Sequence, residues 1–121
     1  MTYNSKANPE EYHKLLSFLP LFEVDEFMPI VGRSASGFLE YHPIVDAFCT
    51  ELRKECWIDC DYTEKDLDYS KIATADFAQI QSFLTSLWRG ERFCEGHMEG
   101  MFEEGKVVAL LLRLKALNRV V

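Results

Sequence analysis

Trp88-Arg89-Gly90-Glu91-Arg92-Phe93-Cys94-Glu95-Gly96-His97 is the stretch on which the fold turns. It lies between two segments of helical periodicity and crowds arginine, glutamate, glycine, cysteine and histidine together. Gly90 is read as the break: glycine is among the poorest residues for a helix interior. That assignment gives one helix before the glycine and another from about Arg92 to Glu104. Upstream, Phe77, Ile80, Leu84, Leu87 and Trp88 form an apolar stripe, with Thr74 as a cap and Asp76 suited to the first turn. Downstream, Phe93, His97, Met98, Met101 and Phe102 share a broad face, and Gly105 is placed to end that helix in a left-handed conformation.

The remaining segments extend the same pattern. Asn8-Pro9-Glu10-Glu11 is a helix start, with Asn8 as cap and Pro9 in the first position. Tyr12, Leu15, Leu16 and Leu19 follow at helical spacing, and Pro20 should end or bend the helix there. Residues 24–42 are read as a long irregular loop, with a short hairpin of Phe27–Val31 against Phe38–Tyr41 as the alternative. Another helix starts at Pro43 and carries Ile44, Val45, Phe48, Cys49 and Leu52, fraying near Trp57; residues 59–66 form a charged connector with room for one helical turn. The last helix, Lys106 to about Asn118, is apolar on more than one stripe. Val108 and Leu112 extend the face of Val107, Leu110, Leu111, Leu114 and Leu117. The expected fold is all-α: a loose N-terminus at 1–7, then a single domain over 8–121. That domain has four to five helices in orthogonal or bundle packing, with the irregular loop after the first helix.

Bulk properties narrow the function classes. The chain has 121 residues, 13 Lys and Arg against 20 Asp and Glu, and a net charge of −7. A nucleic-acid surface needs clustered cations, so nucleic acid is not the expected partner. No secretory leader and no membrane span is read from the sequence, so a cytoplasmic location is expected, where the four cysteines stay as thiols. No phosphate loop or dinucleotide fingerprint occurs, and no cofactor is implied.

The candidate site is the glycine junction. Arg89 and Arg92 flanking a turn could clamp a carboxylate or phosphate, helped by the N-terminus of the next helix. Glu91, Glu95 and His97 complete the candidate ligand-binding set. The structural reading is favoured over this clamp: Arg89 and Arg92 pair with Glu91, Glu95 or helix-ending carbonyls, and at least one arginine is buried. Metal binding is not expected. The weaker alternative is zinc held by Cys56, Cys60, Cys94 and His97, whose spacing forms no pair of knuckles. A Cys94/His97 nucleophile pair lacks a recognisable oxyanion hole or orienting acid.

Leu87 to Gly96, Phe102-Glu103-Glu104-Gly105 and the Leu/Arg-rich Leu110–Leu117 resemble a family of small prokaryotic proteins, the domain of unknown function numbered 6508. Leu16-Ser17-Phe18-Leu19-Pro20 and Tyr41-His42-Pro43 are similar too, so the resemblance spans about residues 12–118. It implies a prokaryotic origin and a one-domain fold, and brings no activity, substrate or cofactor. The expected function is an interaction or regulatory module with an unidentified protein partner. The alternative is a small-anion binder or enzyme using the Arg89–His97 junction; whether the chain is an enzyme is left open. The over-apolar last helix is either central to the core or the seam of a homodimer through Val108, Leu112, Val120 and Val121.

Overall fold

The computed structural model describes residues 9–58 and 67–119, the side chains of Arg92, Phe93 and Arg119 excepted. The connector at 59–66, the cap at Asn8 and the terminal valines lie outside the described residues. The protein is mostly helical. The elements are α1 (Pro9–Leu16), α2 (Leu19–Phe22), β1 (Ile30–Arg33), β2 (Leu39–Tyr41), α3 (Pro43–Leu52), α4 (Phe77–Phe93), α5 (His97–Glu103) and α6 (Lys106–Arg119). Among the described residues, 3-10 segments at Glu55–Trp57 and Tyr69–Thr74 lie between α3 and α4.

Pro20 does more than stop α1. It sits in the first turn of α2, where its missing N–H costs nothing. The chain therefore turns through Ser17 and Phe18 and immediately winds again. This puts Phe22 at the centre of an aromatic cluster, with ring centroids 5.1 Å from Phe27, 5.1 Å from Phe48 and 4.8 Å from Phe102. Phe27 is what pins the following segment down.

The segment after the first helices is not irregular throughout. β1 and β2 pair antiparallel, with Ile30 opposite Tyr41, Gly32 opposite Glu40 and Arg33 opposite Leu39, and the register shifts between Ile30 and Gly32. Helical and strand periodicity are both hard to see in strands of four and three residues, one of them bulged. The turn is closed by Ser34 N–H to the Phe38 carbonyl at 2.8 Å and by Gly37 at φ 87°, a conformation glycine adopts without strain.

α3 buries Val45, Phe48 and Leu52 and ends there, and the 3-10 turn that follows places Trp57 at the centre of the core. Two buried polar side chains of α4 hold that turn. Gln81 Nε2 donates to the Cys56 carbonyl at 2.9 Å, and the Thr85 hydroxyl reaches the Trp57 carbonyl at 3.4 Å. Trp57 packs edge-on against Tyr12 at 5.7 Å, so the turn also locks α1 in place.

The start of α4 corrects the cap assignment. Thr74 ends a 3-10 segment, and Asp76 caps the helix through a reciprocal box: Gln79 N–H to Asp76 and Asp76 N–H to the Gln79 side chain, both 2.8 Å. α6 buries Val107, Leu110, Leu111 and Leu114 completely, so its apolar surplus is mostly core. Val108 packs half-buried against that core, whereas Leu112 is 45% exposed. No helix among the described residues is long and apolar enough to cross a membrane.

Candidate functional site

The glycine junction is not where the sequence places it. α4 runs through Gly90 to Phe93, and the Gly90 carbonyl still accepts a helical bond from Cys94 N–H at 2.9 Å. A single interior glycine costs about 1 kcal/mol against alanine, which a long helix with a buried stripe absorbs. The chain turns instead at Cys94-Glu95-Gly96. Gly96 at φ 96° is the left-handed residue that starts α5 at His97, rather than at about Arg92. Gly90 answers a different need: a Cβ there would overlap the imidazole of His97, which lies against the α4 backbone. Two glycines in one stretch thus have distinct roles, close approach at 90 and reversal at 96.

Glu91 is consequently in the last turn of α4, and its carboxylate reaches forward over the reversal that follows. Its Oε1 accepts the Met98 N–H at 2.8 Å and its Oε2 accepts the Gly96 N–H at 3.2 Å. The first amides of α5 therefore already face an anion that belongs to the chain, in the place where the clamp hypothesis puts a ligand. The Tyr41 hydroxyl donates to the same Oε1 at 2.8 Å and accepts the Glu99 N–H at 3.3 Å. Burial first, then the hydrogen bond to Glu91 and its charge, keep the Tyr41 hydroxyl protonated well above the usual phenol range. Glu95 adds a second tie, its Oε2 accepting the Leu39 N–H at 2.8 Å. Glu91 and Glu95 together staple β2 to the α4–α5 turn. Tyr41, which the sequence offers only as a strand end of the alternative hairpin and as part of a family pattern, is the hub.

Of the other candidates, Arg89 is half-buried with its guanidinium carbon 5.6 Å from the Trp88 ring centroid. The Arg92 side chain lies outside the described residues. His97 is half-buried, and its Nε2 is enclosed without a hydrogen-bond partner among the described residues. For the zinc alternative, Cys60 lies outside the described residues. Cys56 is buried beside α4, Cys94 is exposed, and no group of three metal-ligating side chains gathers among the described residues. Burial, followed by the neighbouring Asp46 charge, pushes the Cys49 thiol up to about 11. Burial and a hydrogen bond with Glu11 push Cys56 up to about 12. Both are neutral and weakly nucleophilic near neutrality.

Two features remain open on the surface. The first is apolar. Leu21, Val24, Met28, Val31 and Phe38 are all exposed, Met28 at 70% and Phe38 at 65%, and all lie on the stretch from α2 to the start of β2. The second is a groove of about 570 Å³ between the Tyr69–Thr74 segment and α6. Neither stood out in the sequence, because an exposed apolar residue and a buried one have the same letter.

A family model described as "Family of unknown function (DUF6508)" matches residues 7–120 of the chain. No curated protein and no solved structure matches it.

Proposed function

We propose that this chain, which belongs to the family of unknown function DUF6508, is a cytoplasmic prokaryotic interaction module whose docking surface is the β1–β2 hairpin. One observation carries the reading: large exposed apolar side chains concentrate on the short stretch from Leu21 to Phe38. Exposed apolar clusters of this kind mark interaction surfaces. The hairpin has two strands only, in the order β1–β2, so each strand has one side unpaired within the sheet. β2 is tied on its far side by Glu95, which leaves the outer side of β1 to receive an extended segment. Along residues 23–40 the acids Glu23, Asp25, Glu26 and Glu40 are exposed, against one cation of the same stretch, Arg33. The fitting partner is therefore a protein segment that is extended, apolar and flanked by Lys or Arg.

A peptide-library selection against the purified protein tests this. Enriched peptides should alternate apolar residues beside basic ones and lose at least tenfold in affinity against Val31→Asp and Phe38→Ser, with helical circular dichroism unchanged. Selected peptides that bind those variants as tightly as the parent would refute the hairpin as the docking surface.

A further inference from the structure

Between the Tyr69–Thr74 segment and α6, a groove has the make-up of a small-ligand site. Its floor is small and apolar: Ile72 and Ala73 on the 3-10 segment, Ala109, Leu112 and Ala116 on α6. Positions 109, 112 and 116 recur at helical spacing, so they share one face, with Lys106 and Arg113 at the same edge. A volume of about 570 Å³ lies in the range of pockets that enclose small organic ligands. The two cations differ. Lys106 is neutralised by Glu104 at 2.6 Å and leans over the Tyr69 ring at 4.9 Å. Arg113 donates its Nε to the Ala75 carbonyl at 2.7 Å, which fixes the guanidinium at the groove wall. No carboxylate pairs with Arg113 among the described residues. One anchored guanidinium beside a strip of alanine and leucine is matched by a single anion at the end of an apolar body.

We propose that the groove binds a small amphipathic carboxylate, its carboxylate on the terminal nitrogens of Arg113 and its hydrocarbon along Ala109, Leu112 and Ala116. The site is separate from the hairpin and stands or falls independently of it. Leu112, exposed in the free protein, is covered by the ligand. The binding free energy is then divided between a directional charge-assisted contact and apolar burial, so neither half of the ligand should bind well alone.

The probes are decanoate below its micelle threshold, decanol and acetate, followed by titration calorimetry and thermal denaturation. Decanoate is expected to bind saturably and to raise the Tm, with decanol and acetate at least tenfold weaker. Ala116→Trp, which fills the groove from an exposed position and leaves Arg113 untouched, should weaken decanoate at least tenfold while keeping the parent fold. Arg113→Gln should bring decanoate down to the level of decanol. No saturable decanoate binding, equal binding of decanol, or undiminished binding to Ala116→Trp would each overturn the proposal.

Discussion

The α4–α5 turn and the α6 groove make opposite use of their residues. The turn holds the densest set of reactive side chains in the chain, yet its two carboxylates are consumed by backbone amides and by Tyr41. The groove is lined chiefly by alanine and leucine over the buried Ile72, with one anchored arginine, and it opens to solvent. Chemistry-rich sequence marks a binding site only when its groups lack internal partners. A carboxylate that has satisfied two helix-start amides and a phenol is part of the fold, whatever its neighbours suggest.

The sharpest way to break this contrast is to remove Glu91. Glu91→Ala strands the Tyr41 hydroxyl and the amides of Gly96 and Met98 at once. Hydrogen bonds to a charged group contribute about 1.5–3 kcal/mol each, less than additively here because water reaches a half-buried site. A loss of about 2–4 kcal/mol is expected in urea denaturation. A midpoint matching the parent would contradict the staple and favour a ligand role for the Arg89–His97 region.

Gly90 sharpens the comparison at the backbone. Were it the turn residue of the sequence reading, alanine there would be costly in any background. In the structure it is helical and tight against His97, so Gly90→Ala sets a helix-propensity gain of about 1 kcal/mol against an overpacking cost of about 1–3 kcal/mol. The single variant should be destabilised. Adding Ala to a His97→Ala background should instead stabilise, because the clash is gone and the propensity gain remains. Destabilisation of equal size in both backgrounds would contradict the helical assignment.

A smaller effect is expected from pH. The Tyr41 hydroxyl, like the Cys49 and Cys56 thiols, is raised in the folded state. A raised acid favours folding fully below its unfolded pKa, and that stability is lost as pH climbs toward the folded value. These groups therefore leave the Tm flat from pH 6 to 8 and pull it down above about pH 9, where free thiols and then phenols ionise. Tyr41→Phe should be less stable than the parent at pH 7 by about 1 kcal/mol, with the gap narrowing as pH passes 10. A gap that is constant through pH 11 would mean that the phenol is not held as described.

The helical character, the stripes of α4 and α6 and the Gly105 terminus were legible because apolar periodicity over many residues leaves little freedom. Three features were not. The sequence offers the hairpin only as the alternative, on its Gly/Ser turn, because its strands are too short and too bulged for alternation to register. The placement of Trp57 depends on Gln81 reaching the Cys56 carbonyl, and Thr85 the Trp57 carbonyl, across 25 and 28 positions of sequence. The choice between Gly90 and Gly96 turns on which glycine meets another side chain, which spacing does not carry. The candidate set Arg89, Glu91, Arg92, Glu95 and His97 did point to a region that organises the fold. Tyr41, the partner that explains Glu91, lies 50 positions away and was invisible to local reasoning.

The Glu91 carboxylate holds the hairpin to the start of α5 through Tyr41. A double-mutant cycle of Glu91→Ala and Tyr41→Phe, read by urea denaturation at pH 7, measures that coupling directly. If the staple is as described, the two losses are less than additive by about 1 kcal/mol or more, the range for residues in direct contact. Fully additive losses, with no coupling beyond about 0.3 kcal/mol, would contradict it.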